Sequence, residues 1–227
     1  MRISRLIFLF ILLTGCSKEW IRYHGIKYNL IRAGEQVWMA ENLASASFRT
    51  GRKIPVVKDY GIWPELETPA CGYYKNDTSM LRKYGMLYNW YVVGGGKLCP
   101  FGWHVPSNDD WLKLEEFLGG HLRAAGRMKA VSGWSGKHVS GDDIGFKALP
   151  GGYRLNEDFQ EGESGKWWSS SVAVEVDFRN EIIDSYYKDL VSDYEFVWGR
   201  SIDSGTELQS TLNRRNNGFS VRCIKNR

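Results

Sequence analysis

The segment from Cys99 to Trp111, CPFGWHVPSNDDW, constrains the fold more than any other, because it dictates where a helix begins and which face it buries. Pro106 pushes the residue before it into extended backbone. Ser107-Asn108-Asp109-Asp110 then reads as a capping box, in which a hydroxyl and a carboxylate satisfy each other's backbone N–H groups. Trp111, Leu114 and Leu118 follow on one helical face, with Leu112 and Phe117 at its margins. Gly119-Gly120 ends the helix. The same thirteen residues hold a thiol, an imidazole and two carboxylates. They therefore also pose the question of a nucleophile, a base and an orienting acid.

The chain shows no long uninterrupted helical pattern. With 25 glycines and 14 % aromatic residues, the chain suits a loop-rich, β-containing domain pinned by buried rings. Lys27–Ile31 and Gln36–Ala40 flank Arg32-Ala33-Gly34-Glu35, which reads as a hairpin with Gly34 in the turn. Residues 44–70 show no steady period and are expected to be irregular. Tyr84–Tyr91 is apolar, aromatic and buried, with its helix or strand type left open. A second short helix is expected over Arg123–Val131. Strand signals return at Lys166–Ser171, Phe196–Ile202 and Phe219–Ile224. The expected class is α+β: mixed short strands, two helices and many loops, in one domain.

The chain opens MRISRLIFLFILLTGCSKEW. Arg2 and Arg5 form a charged region, and Leu6–Leu13 is an apolar run far short of the roughly 20 residues that span a bilayer. Leu13-Thr14-Gly15-Cys16 resembles the bacterial lipobox, which predicts a signal peptide over 1–15, a lipid-modified Cys16 and a short tether over 16–24. Ser17 in place of an aspartate favours the outer membrane, and Ser17-Lys18-Glu19 faintly resembles a surface-export signal. The partner so implied is the membrane, reached through a lipid anchor. Removing 1–15 takes away Arg2 and Arg5, so the formal charge falls from +4 to about +2. So small an excess gives no case for nucleic acid.

Six motifs occur in order: Gly34-x-Gln36-x-Trp38-Met39-Ala40-Glu41-Asn42-Leu43; Tyr84-Gly85-x-Leu87-Tyr88-Asn89-Trp90; Cys99-Pro100-x-Gly102-Trp103-His104-x-Pro106-Ser107; Gly145-Phe146-x-Ala148-Leu149-Pro150-Gly151-Gly152-Tyr153-Arg154; Trp167-Trp168-Ser169-Ser170-Ser171; and Gly218-Phe219-Ser220-Val221-Arg222-Cys223. Together, from about residue 25 to 227, they resemble the Fibrobacter succinogenes major paralogous domain, a family of exported bacterial domains. Its G-W-x-x-P-x-x-x-x-W helix start and closing strand are also similar to the C-type-lectin-like and formylglycine-generating-enzyme folds. The resemblance implies a C-type-lectin-like domain with paired N- and C-terminal strands. It implies no reaction, since such folds host binders and enzymes alike.

With Cys16 lipidated, Cys71, Cys99 and Cys223 remain, and sequence alone leaves three single pairings open. The resemblance implies Cys99–Cys223, with Cys71 left as a buried thiol, an intermolecular bridge or a reactive group. Cys99 in a disulfide is no nucleophile. His104 is then read as a hydrogen-bonded core histidine, and Asp109 and Asp110 as first-turn residues favoured by the helix dipole. Formylglycine-generating enzymes use a redox cysteine pair near their C-terminal end, where this chain has only Cys223. His24, His104, His121 and His138 lack metal-ligand spacing, and a solvated loop is the better reading of His138, Asp142 and Asp143. No catalytic residue, metal or cofactor is expected.

Candidate ligand contacts are Tyr153, Arg154, Trp167, Trp168, Tyr186 and Tyr187. Neighbours on a strand point to opposite faces, so one ring of Trp167-Trp168 can reach the surface to stack on a sugar, or both can cover cores. Gly151-Gly152 is read as a tight turn aiming Arg154 at a carboxylate. Relatives pass from the W-W-S-S-S strand through a short loop; here an acidic insertion at about 172–195 intervenes, with apolar residues at helical spacing. The function expected is a non-enzymatic outer-membrane or cell-surface module binding glycan or protein. The alternatives are an enzyme of formylglycine-generating-like descent and a structural envelope protein.

Overall fold

Gly34, at φ +58°, and Glu35 form the tight turn between β2 (Ile26–Ala33) and β3 (Gln36–Met39), with Ala33 opposite Gln36. A computed structural model describes residues 19–134, 141–155, 158–160, 164–173 and 196–227. Cys16, His138, Tyr186, Tyr187 and most of the insertion lie outside the described residues. β1 (Trp20–Tyr23) pairs antiparallel with β2. The tether expected over 16–24 is therefore shorter: from Trp20 the chain is already a strand, because Tyr23 is buried and its hydroxyl donates to Leu98 O at 2.8 Å.

The closing strand β13 (Ile224–Lys225) lies antiparallel to β3, with Ile224 opposite Trp38, and to β6 (Trp103–His104) on its other side. The closing strand thus joins a five-stranded sheet ordered β1-β2-β3-β13-β6, where its N-terminal neighbour is β3 and not the first strand, β1. The second sheet holds β4 (Cys71–Tyr73), β5 (Met86–Tyr88), β9 (Gly165–Val172), β10 (Val197–Ile202), β11 (Gln209–Asn213) and β12 (Phe219–Ser220), ordered β11-β10-β9-β12-β5-β4. β7 (Tyr153–Leu155) and β8 (Asp158–Gln160) form a separate hairpin.

Helices α1 (Leu81–Tyr84) and α2 (Trp90–Val93) are single turns, whereas α3 (Asn108–Phe117) and α4 (His121–Met128) are the two expected. The capping box of α3 forms: Ser107 Oγ accepts from Asp110 N at 3.1 Å, and Asp110 Oδ2 accepts from Ser107 N at 2.9 Å. α4 stops at Met128 because Lys129 turns extended to bridge Ala148. The class is α+β, mostly sheet with few short helices. No helix among the described residues is long and apolar enough to cross a membrane.

β9 divides the interior in two. Trp168 stacks on Phe219, ring centres 4.1 Å apart, in a core shared with Tyr88, Met39 and the Cys99–Cys223 disulfide. Trp167 faces the other way, into a core of Trp38, Trp111, Phe146, Leu114 and Met128. Both rings are fully buried. The alternation read from the sequence holds, but the expectation that one ring reaches a ligand does not, because helices α3 and α4 cover the second face.

Asn42 joins the two cores. Its Oδ1 accepts from Trp167 Nε1 at 2.8 Å and from Arg222 Nη2 and Nε at 2.8 and 3.2 Å. Its Nδ2 donates to Tyr84 O at 2.9 Å and to Ser220 Oγ at 3.2 Å. The Arg222 guanidinium also donates to Phe146 O and lies 3.9 Å from that ring's centre. Asn42→Leu strands a buried charge and an indole N–H, so denaturant unfolding should show a loss of about 3–5 kcal/mol.

The disulfide spans a sequence separation of 124, with Cα atoms 5.9 Å apart. On the chain-entropy model it stabilises by about 4–5 kcal/mol. Cys223→Ser should lose that amount in the same measurement. In the native wild-type protein, Cys71, Cys99 and Cys223 should all resist alkylation.

Candidate functional site

His104 sits at the end of β6, where the start of α3 and the last residues of the chain converge. Its Nε2 lies 3.0 Å from Asp110 Oδ2 and its Nδ1 2.8 Å from Asn226 Oδ1. Asp110 Oδ2 also accepts from Ser107 N at 2.9 Å and Ser107 Oγ at 2.7 Å. A cleft of about 260 Å³ opens beside this pair, lined also by Glu35, Gln36, Val37, Lys113, Lys225 and Arg227. The expectation of a core histidine is corrected in part: the ring is hydrogen-bonded, but its side chain is 41 % exposed.

The hydrogen bond to Asp110 raises the His104 pKa against the opposing effect of burial, and Asn226 adds to the rise. Burial pushes the Asp110 carboxyl up, but hydrogen bonds from His104 and from the Ser107 backbone and hydroxyl outweigh it and hold it well below the carboxylate range. Both ring nitrogens face acceptors, so the imidazolium is the favoured form and offers no lone pair to a substrate. One Asp110 oxygen already takes three donors. The pair fastens the start of α3 to the end of the closing segment.

The other predicted residues are engaged internally as well. Arg154 is buried, yet among the described residues no carboxylate forms an ion pair with it: its Nη1 donates to Val57 O at 2.8 Å and its Nη2 to Lys58 O at 3.3 Å. The guanidinium lies 4.5 Å from the Tyr60 ring centre and 4.3 Å from that of Trp63, and burial lowers its pKa. Carbonyls and ring faces replace the expected acid. Buried Arg154, like Trp167 and Trp168, is not available to a surface ligand. Tyr153 is half-buried, with Lys166 Nζ 4.3 Å from its ring centre and Phe219 edge-on to it at 6.0 Å.

Cys71 is a free, buried thiol beside Pro55 O, and burial pushes its pKa up to about 12. It is therefore neither a thiolate nor exposed to a partner. Asp143 pairs with Arg127 at 2.5 Å, and Asp142 Oδ1 accepts from Lys147 N at 2.7 Å. No group of three metal-ligating side chains occurs among the described residues.

Sequence reasoning missed an aromatic cluster beside the β7–β8 hairpin. Tyr74 and Tyr84 stack with ring centres 4.3 Å apart, and Phe159 meets Tyr74 edge-on at 5.0 Å. All three are half-exposed and belong to neither core. Lys75 and Lys83 lie 5.7 and 4.8 Å from the Tyr74 and Tyr84 ring centres. Gly152 makes this arrangement possible: a Cβ there would stand 2.6 Å from Phe159 Cζ and from Gln160 O, whereas one on Gly151 would meet Tyr84 only at ordinary contact distance. Gly152 is also at φ +61°, which a side chain resists. Gly152 is the bed on which the Phe159 ring lies. Its closeness to aromatic positions was the signal available in the sequence; the partners lie too far apart in the chain to be read.

The family model of the Fibrobacter succinogenes major domain matches residues 31–225. The chain belongs to that family. No curated protein and no solved structure matches it. The matched range takes in β3, the disulfide, the Asn42 junction and the closing strand. The six family motifs are thus mostly interior: Asn42, Trp38, Tyr88, Trp167, Trp168 and Arg222 are all buried.

The His104–Asp110 contact makes stability depend on pH. The raised His104 pKa contributes stability that is full below the unfolded value of about 6.5 and is lost as pH rises through the folded pKa. The lowered Asp110 pKa contributes stability above about 3.8 that is lost as pH falls through the folded pKa. Urea unfolding of wild type against His104→Leu should therefore differ most between about pH 4 and 6.5, and the gap should narrow toward alkaline pH.

Proposed function

We propose that the chain is an exported outer-membrane lipoprotein, anchored through Cys16, whose C-type-lectin-like domain is a non-enzymatic binding module for glycan or protein. The lipobox-like Leu13–Cys16 supports the anchor, and the Cys99–Cys223 disulfide suits an oxidising compartment. The closing strand, which shares a sheet with the three N-terminal strands and pairs with β3, supports the fold relationship. The observation that carries the binding reading is the Tyr74–Tyr84–Phe159 cluster. These rings are ordered against each other and against a glycine bed, yet remain half-exposed outside both cores. Tyrosine offers an apolar face and a polar tip, which suits a sugar ring or a protein side chain. Tyr153, opposite Gln160 in the same hairpin, faces the other way, toward Phe219 and Lys166. Nothing among the described residues favours the enzymatic alternative: Cys99 and Cys223 are joined and buried, and the His104 ring is saturated.

The test is a glycan array and a pull-down with residues 17–227, comparing wild type with the Tyr74→Ala/Phe159→Ala double variant. Removing two ring contacts should weaken binding about tenfold or more while the thermal transition persists. Binding that the double variant leaves intact would refute the assignment of this face. Palmitate labelling in cells should mark the wild type and not Cys16→Ala.

A further inference from the structure

We propose that the outward face of the β1–β2 hairpin is a docking surface for an anionic phospholipid headgroup layer, which holds the domain down on the membrane that carries its anchor. The proposal rests on the reading that Cys16 is acylated. It deepens that reading by stating which end of the domain meets the lipid.

The register sets the face. Trp20 lies opposite Asn29, Ile21 opposite Tyr28, Arg22 opposite Lys27 and Tyr23 opposite Ile26. Tyr23 and Tyr28 are buried, so Ile21 and Ile26 share the inward side. Trp20, Arg22, Lys27 and Asn29 share the other. Trp20 is 51 % exposed, an unusual state for an indole on a strand, and Lys27 Nζ stands 5.1 Å from its ring centre. The neighbouring acids are already engaged: Glu19 pairs with Arg32 at 3.0 Å, and Glu41 accepts from Asn29 N and Nδ2 at 2.8 and 2.6 Å. Among the described residues no carboxylate forms an ion pair with Arg22 or Lys27. Arg22 donates only to Gly25 O, at 3.3 Å.

Distance then selects the occupant. Trp20 follows Cys16 by four residues, a reach of at most about 14 Å even when fully extended. The polar headgroup zone of one leaflet is itself about 5–8 Å deep. An acylated Cys16 therefore keeps this hairpin within about 10 Å of the headgroup zone, close enough for it to reach the lipid. Tryptophan is the residue that prefers that zone, and Arg22 and Lys27 complement anionic headgroups. The exposed ring has its solvent at the membrane interface.

The test uses the mature chain from Cys16, coupled through that thiol to maleimide lipids in vesicles of phosphatidylcholine with or without phosphatidylglycerol. Cys71 is buried and Cys99–Cys223 is closed, so Cys16 is the reactive thiol. Chemical coupling makes the experiment independent of cellular acylation. With brominated acyl chains, wild type should show a quenched fluorescence component that Trp20→Phe lacks. Uncoupled Cys16→Ser protein should partition onto phosphatidylglycerol vesicles, and Arg22→Gln/Lys27→Gln should weaken this by about thirtyfold. Equal quenching of wild type and Trp20→Phe, or partitioning indifferent to the double variant, overturns the docking alone. Absence of an acyl chain on Cys16 in cells overturns the anchor and the docking with it.

Discussion

The Oδ1 of Asn42 accepts from the Trp167 indole and the Arg222 guanidinium at the line where two apolar cores touch, and the closing segment of the chain is organised about that contact. Arg222 is buried, and among the described residues no carboxylate hydrogen-bonds it; an amide oxygen, a carbonyl and the face of Phe146 take that role. A guanidinium stays charged even though burial lowers its pKa. Its surroundings must therefore remain in register. Val221 and Cys223, on either side of it, belong to one core, and Ile224 belongs to the other. The disulfide, the closing strand and the two-faced strand β9 all converge within a few residues of this point. A polar contact so placed sets how the sheets sit on each other, which apolar packing alone leaves less defined.

What the sequence disclosed follows the range of the interactions. The Ser107–Asp110 cap, the Gly34 turn and the alternation of Trp167 with Trp168 are decided by neighbours in the chain, and each is visible in a few residues. That both indoles are covered depends on α3, α4 and Phe146, which no local pattern connects to β9. The carbonyls that hold Arg154 come from Val57 and Lys58, in a stretch whose aperiodic sequence reads only as irregular. Trp63, buried in that same stretch, is missed for the same reason. β4, β7, β8 and β11 are short and owe their pairing to distant partners, so they leave little periodic trace.

The reactive side chains of the opening segment end as fasteners. Cys99 is bonded, Asp110 caps a helix, and His104 ties that cap to Asn226. Chemistry that looks catalytic in one dimension is consumed by the closure of the fold. The rings of the Tyr74 cluster and the indole of Trp20, which no motif advertises, are the ones left outside both cores.

The place where β9 hands over to β10 has a consequence of its own. Val172 pairs with Val197, and Ala173 N donates to Phe196 O at 2.8 Å. Just inside, Ser170 N donates to Pro106 O, and Asn108 N donates to Ser171 Oγ, at 2.8 and 2.9 Å. The residues on either side of 174–195 therefore form a closed stem whose geometry is set by the start of α3. Doubling the length of chain beyond such a stem adds only about 0.6 kcal/mol of closure entropy. The fold holds at that point an open socket, where sequence can lengthen and change its chemistry while the two cores behind it stay as they are.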